Sequence, residues 1–332
     1  MKTLAIIGGG GWGTALSIVL APRFERVRLW VYETDLAATL RRRRENEIYL
    51  PGVRIPDEVA VTTELGEALA GADVVLGVMP SHHARRLYTE MLPHLNPAMI
   101  LVSATKGLEG GTLMRMSEVI SDVVRARFAP KVAVLSGPTF AAEVARGEPA
   151  AVVVASEEDG VARSIQAAFS GPTFRLYTNP DVVGVEIGAA VKNVIAIGAG
   201  VCRGLGLGGN TVAALITRGL AEITRLATAL GAQPRTLAGL AGLGDLVLTC
   251  TGELSRNRTV GLRLGRGETL EEILASTRTV AEGIRTTDAA LELARRCGVE
   301  MPITEQMHQM LRCGKPPREA LRELMERSLK PE

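Results

Sequence analysis

The chain has little of several things that define common protein classes. Only four cysteines occur in 332 residues, at 202, 250, 297 and 313, and no two are spaced as in zinc or redox motifs. That excludes a disulfide scaffold, gives no metal site, and makes a reducing cytoplasm the expected compartment. Histidine is equally scarce, with four at 82, 83, 94 and 308. None stands in a catalytic pattern, and His82 reads as a polar loop residue. A charge excess is missing as well: 38 basic and 36 acidic side chains leave +2, no footprint for nucleic acid or an acidic membrane. The densest cluster, the four arginines at 41–44, reads as a solvated helix end. Long apolar runs are absent. The longest, around 187–202, is broken by Lys192 and stays below the roughly 18 residues of a membrane span, so no membrane insertion is expected. The opening "MKTLAIIGGGGWG" has no long apolar core followed by a cleavage site, so it reads as a first strand and not a signal peptide.

What is present fits a globular protein with two sizeable cores, at 46% hydrophobic and 22% charged residues. Short aliphatic runs recur at 4–8, 27–32, 59–63, 73–79, 99–105, 131–137 and 150–156, with helical segments between them. That alternation is expected of a mostly parallel sheet wound with crossover helices. After about residue 186 the pattern turns helical. Residues 211–231 place Val212, Leu215, Ile216, Leu220, Ile223, Leu226 and Leu230 at three-and-four spacing before Gly231. Further helices are expected at 283–297, 303–313 and 317–329. No repeat or low-complexity linker intervenes. The expected organisation is an α/β domain over 1–185 and an all-α substrate domain over 186–332, joined through a shared helix.

The sequence "GGGGWG" sets Gly8, Gly10 and Gly13 in the order G-x-G-x-x-G, after a strand and before a helical run. Gly8 suits the tight turn, Gly10 the approach of a pyrophosphate, and Gly13 the packing of helix on strand. The helix N-terminus then offers free amides to the phosphates, and the first domain reads as Rossmann-type. Glu33 follows Gly13 by twenty residues, where an acidic side chain accepts ribose hydroxyls. NADH is therefore slightly favoured, although the arginines at 41–44 could reach a 2′-phosphate.

Two segments follow strands at the carboxyl edge where open sheets bind ligands: "SATKGLEGG", carrying Lys106, and "SGPTFAAEV", carrying Gly137 and Thr139. Gly107 is expected to keep the Lys106 loop open to a ligand. In "GAAVKNVIAIGAG", Lys192 shares a helix face with Gly188, Ala189, Ala196 and Ala199. An ammonium in so apolar a run needs a partner or a cleft, and the small neighbours are expected to leave a groove for a ligand. Asp245 and Thr249 fall on one face if helical, followed by Ser255, Arg256, Asn257 and Arg258, donors suited to a phosphate.

Together "GGGGWGTALS", "SATKGLE", "SGPTFAAEVARG", "GAAVKNVIAIGAG", "GLAEITRL", "AGLGDLVLTCT", "SRNR" and "GVEMPITE" resemble the NAD(P)-dependent glycerol-3-phosphate dehydrogenases, in order over residues 8–305. The resemblance implies reversible reduction of dihydroxyacetone phosphate to sn-glycerol 3-phosphate for phospholipid synthesis, by NADH or NADPH, in a homodimer. It implies Lys192 as general acid/base and Lys106 against both cofactor and substrate. Asn193, Asp245 and Thr249 would hold substrate and lysine, while Arg256, Asn257 and Ser255 would take the phosphate. Gly11, Trp12, Ala141, Arg256 and Glu282 would touch the cofactor. Many relatives carry serine where this chain has Gly11, and NADPH-preferring relatives carry basic residues where it has Tyr32 and Glu33. The alternatives are a 3-hydroxyacid dehydrogenase of the same plan and an inactive dinucleotide sensor.

Overall fold

The computed structural model describes residues 1–277 and 281–329. Among the described residues ten strands form: β1 Thr3–Ile7, β2 Arg26–Trp30, β3 Glu45–Asn46, β4 Leu50–Arg54, β5 Val59–Thr62, β6 Val74–Gly77, β7 Ile100–Ser103, β8 Lys131–Ser136, β9 Ala150–Ala155 and β10 Phe174–Asn179. Eight build one sheet in the order β10-β9-β8-β7-β6-β1-β2-β5. From β5 to β8 every neighbour is parallel; β9 pairs antiparallel with β8, and β10 runs parallel to β9. The mostly parallel expectation holds, with a reversed two-strand edge. Buried β-branched and aliphatic side chains on both faces drive this layer: Leu4, Ile6, Leu29, Leu76 and Val102 pack on one face, Ala5, Ile7, Val75 and Leu101 on the other.

Two features escape the sequence reading. Strand β10 alternates buried Phe174 and Leu176 with exposed Arg175 and Tyr177, an edge pattern weaker than the continuous runs of the inner strands. The hairpin β3–β4 contains Pro51 and Gly52, which disfavour a strand assignment.

The switch to helix comes at Asp181. Its carboxylate accepts the amide of Gly184 at 2.8 Å and that of Gln233 at 2.8 Å, capping a central helix Val182–Gly204. This helix is long and apolar enough to cross a membrane, but its apolar window is 94% buried inside the protein. Its first turns pack on the sheet, Val182 and Val185 against Val134, Val153 and Ala155. Later turns are wrapped by the helices Gly209–Ala229, Arg256–Gly265 and Glu282–Arg296. Glycines set the closest approach: a Cβ on Gly261 would fall onto the Ile197 carbonyl, and one on Gly200 onto that of Arg258. The expected helices form as Gly209–Ala229, Glu282–Arg296, Pro302–Cys313 and Pro317–Met325.

The groove expected beside Lys192 is not there. Gly188 is filled by the Ala241 carbonyl and Leu237, while Ala196 and Ala199 join the helical core. Small residues serve helix–helix packing at these positions.

Candidate functional site

The glycine-rich turn fits a dinucleotide. Gly8 has φ 130°, a left-handed conformation in which a Cβ would stand 2.7 Å from the Val78 carbonyl. A Cβ on Gly13 would fall onto the Gly8 carbonyl, so helix and strand touch, whereas Gly10 faces open space where a pyrophosphate has room. The helix Gly11–Leu20 has no side chain capping its N-terminus, leaving its amides for an anion. Ala141 starts the helix after β8 and lies beside Gly11, and Trp12 packs against that helix and Leu50. Glu33 is exposed just beyond β2. Three of the four arginines at 41–44 are held by other groups: Arg41 donates to the Val61 carbonyl, Arg43 pairs with Glu47, and Arg44 donates to the carbonyls of Ile55, Pro56 and Val59, while Arg42 is exposed.

At the carboxyl ends of β7 and β8 a second cluster forms. Lys106 Nζ donates to Asp245 Oδ2 at 2.7 Å and to the Gly137 carbonyl at 3.1 Å. Lys192 Nζ lies 3.3 Å from Asp245 Oδ1 and donates to Thr249 Oγ1 at 2.8 Å and Asn193 Oδ1 at 3.0 Å. One carboxylate therefore holds two ammonium groups, one on each oxygen. Lys192 and Asp245 are 4% and 1% exposed; the Lys106 side chain, at 18%, is the one that meets solvent. Burial lowers the Lys192 pKa to about 8, with Asp245 opposing and Lys106 reinforcing the shift. Asp245 and Thr249 share a face of the helix Asp245–Thr251, and Thr249 closes the pair by donating to the Asp245 carbonyl at 2.6 Å. Thr139 donates to the Gly137 carbonyl at 3.3 Å. Cys250, beside this cluster, has its thiol pushed up to about 12 by burial and is inert as a nucleophile.

The wall next to Lys192 is a relay of amides. Asn193 Oδ1 accepts from Asn257 Nδ2 at 3.0 Å, and Asn257 Oδ1 accepts the Gly283 amide at 2.9 Å. Ser255 caps the helix Arg256–Gly265 by accepting the Arg258 amide at 3.2 Å. Arg256 is an exposed residue, yet burial lowers its pKa, with Glu282 opposing.

Sequence reasoning missed Ser81. It donates through Oγ to Glu282 Oε2 at 2.9 Å and through its amide to Oε1 at 3.3 Å, tying the end of β6 to the helix Glu282–Arg296. Gly107 does not keep its loop open: a Cβ there would stand 2.7 Å from Ser81 Oγ. Asn46 and Tyr49 of the hairpin were also missed, and nothing in their local pattern marks them. A separate cleft of about 890 Å³, lined by Arg115, Glu118, Arg125, Ser156 and Arg296 among others, holds none of these site residues. Its Arg115 is already paired with Glu118 and the buried Glu186.

A dinucleotide turn on a mostly parallel sheet, with a buried lysine–carboxylate–lysine cluster shared between that sheet's edge and an attached helical body, defines a pyridine-nucleotide-dependent oxidoreductase of two-part plan. The chain belongs to the NAD-dependent glycerol-3-phosphate dehydrogenase family, whose N-terminal model matches residues 3–162 and whose C-terminal model matches 181–322. It is 60% identical over 329 residues to a glycerol-3-phosphate dehydrogenase [NAD(P)+] of Koribacter versatilis, covering 98% of each chain. It is 54% identical to that of Citrifermentans bemidjiense, covering 100% of this chain and 99% of the other. The crystal structure of glycerol-3-phosphate dehydrogenase from Coxiella burnetii superposes with a TM-score of 0.94 at 40% identity, covering 98% of this chain and 99% of that one.

Proposed function

We propose that the chain catalyses reversible, NAD(P)H-dependent reduction of dihydroxyacetone phosphate to sn-glycerol 3-phosphate, the backbone for phospholipid synthesis, as a cytoplasmic homodimer. The observation that carries it is the buried Asp245 carboxylate shared by Lys106 and Lys192. Reducing a ketone creates an alkoxide, so the site must supply a proton and a cation together. Lys192, whose pKa of about 8 lies near neutrality, gives the proton to the C2 oxygen or takes it back in the reverse direction. Its three N–H bonds point to Asn193, Thr249 and Asp245; the contact to Asp245 is the longest and the one a substrate oxygen replaces. Lys106, the more open ammonium, stabilises the developing negative charge. Asp245 keeps both lysines in place, and Thr249 and Asn193 fix the direction of Lys192.

Arg256, with Asn257 and Ser255 beside it, grips the substrate phosphate, and Gly137 and Thr139 line the opposite edge. When bound, the nicotinamide supplies or accepts the hydride. Gly8, Gly10, Gly11, Trp12 and Gly13 hold its pyrophosphate side, Glu33 its ribose, and Lys106, Ala141, Arg256 and Glu282 its nicotinamide half. In the division into residues 1–185 and 186–332 the first part carries the glycine-rich turn and Glu33 and the second Lys192, Asp245 and Arg256, and the reacting centre lies where the two meet, at Lys106 and Asp245. The deciding experiment follows nicotinamide absorbance with dihydroxyacetone phosphate and, separately, with small 3-keto acids. Rapid oxidation with the phosphate supports the proposal, turnover of keto acids alone favours a hydroxyacid dehydrogenase, and dinucleotide binding without turnover favours a sensor. Sedimentation velocity tests the dimer.

A further inference from the structure

The hairpin β3–β4 forms a second wall beside the phosphate loop. Asn46, at 0% exposure, donates through Nδ2 to the Gly9 carbonyl and to Thr14 Oγ1, both at 2.8 Å, and accepts the Tyr49 amide at 3.1 Å. That clamp sets Tyr49 in one place relative to the glycine-rich turn. The Tyr49 carbonyl then approaches Gly11 so closely that a Cβ there would stand 2.6 Å from it, and a backbone atom held by the clamp cannot swing aside. The hydroxyl of the same residue donates to Glu33 Oε1 at 3.3 Å. Tyr49 thus touches both the first residue of the phosphate-binding helix and the carboxylate that ends the ribose-binding segment. Four neighbouring cations are occupied: Arg86 pairs with Glu90 and stacks over Tyr32, and Arg41, Arg43 and Arg44 are held as described above.

The geometry points to Tyr49 as a positioning residue for coenzyme choice. Its hydroxyl holds the Glu33 carboxylate as an acceptor for the unmodified ribose diol. A 2′-phosphate placed there meets like charge, with Arg41, Arg43, Arg44 and Arg86 held by other partners. Gly11 makes this placement sterically allowed. The inference rests on the reading that Glu33 selects NADH.

Binding alone tests it. With wild-type protein and no substrate, the Kd values of NADH and NADPH are measured by energy transfer from Trp12 and Trp30 to the reduced nicotinamide. Glu33→Ala is expected to lower the NADPH/NADH ratio of Kd by about tenfold or more. Tyr49→Phe is expected to lower it about fivefold through weaker NADH binding, the scale of one hydrogen bond, with an unchanged melting temperature and no further effect in the Glu33→Ala background. Gly11→Ser, whose Cβ would stand 2.6 Å from the Tyr49 carbonyl and strain the clamp, is expected to move the ratio the same way. A ratio within twofold of wild type in Tyr49→Phe, while Glu33→Ala lowers it tenfold, overturns the inference and leaves the Glu33 reading intact. A silent Glu33→Ala overturns both.

Discussion

Lys192 carries the most informative pH dependence in the molecule. Its pKa is lowered to about 8 by burial, while Asp245 pulls it upward. Ketone reduction needs the ammonium and alcohol oxidation the free amine. The kcat/KM for dihydroxyacetone phosphate is therefore expected to fall as pH rises through about 8, and that for glycerol 3-phosphate to rise over the same range. Asp245→Asn removes the charge that raises the pKa, so both midpoints should move to lower pH; a stationary midpoint would show that Lys192 is not the titrating group. Lys192→Met should cost about 10²- to 10⁴-fold in kcat with intact folding, judged by its circular dichroism. Little of this pairing was readable in the sequence. The chemistry of Lys192 and Asp245 was visible from residue types and from the family likeness, but the sharing of one carboxylate by two lysines depends on residues 139 positions apart.

Single helices repeat the theme of buried charge. Glu222, 2% exposed, accepts the amides of Ile303 at 2.6 Å and Thr304 at 3.2 Å, capping the helix Pro302–Cys313. Burial nevertheless pushes its pKa up to about 7. Because the folded state then holds a proton that the unfolded chain releases from about pH 4.5, stability is expected to be highest below that pH and to decline as pH rises through about 7. The change is about 3 kcal/mol in all. Glu222→Gln should flatten this slope in denaturant titrations at several pH values; Glu222→Ala should lose a further 1–3 kcal/mol or so by orphaning two amides. The helix Arg256–Gly265 offers a second test. Replacing an interior helical glycine by alanine ordinarily gains up to about 1 kcal/mol, but Gly261→Ala places a Cβ on the Ile197 carbonyl. A net loss of about 1–3 kcal/mol is expected, and a raised melting temperature would contradict the packing. Helices with clear three-and-four spacing, such as Gly209–Ala229, were legible in the sequence. The edge strand β10 and the hairpin around Asn46 were not, because one alternates buried and exposed residues and the other carries Pro51 and Gly52. The small residues around Lys192 misled for a different reason: sequence shows that space is left beside a helix, not what fills it.

Across the whole molecule, sheet and helical body are stitched by groups that neither part can satisfy alone. Glu186 of the central helix is buried against Arg115 and Ser117; Ser81 meets Glu282, and Lys106 meets Asp245. Separating the two bodies would orphan a charge at each point, at several kcal/mol for the buried pair. Thermal unfolding is therefore expected as one calorimetric transition with equal calorimetric and van't Hoff enthalpies, and two resolved peaks would argue against the stitching. The central helix Val182–Gly204 has a consequence for how the chain is made. The strands it leans on are synthesised before it, whereas the helices that wrap it, up to Glu282–Arg296, come later. At about 5–20 residues per second, roughly 5–20 s of translation separate the two. During that interval the nascent chain carries a segment with the hydropathy of a membrane anchor whose set of packing partners is still incomplete.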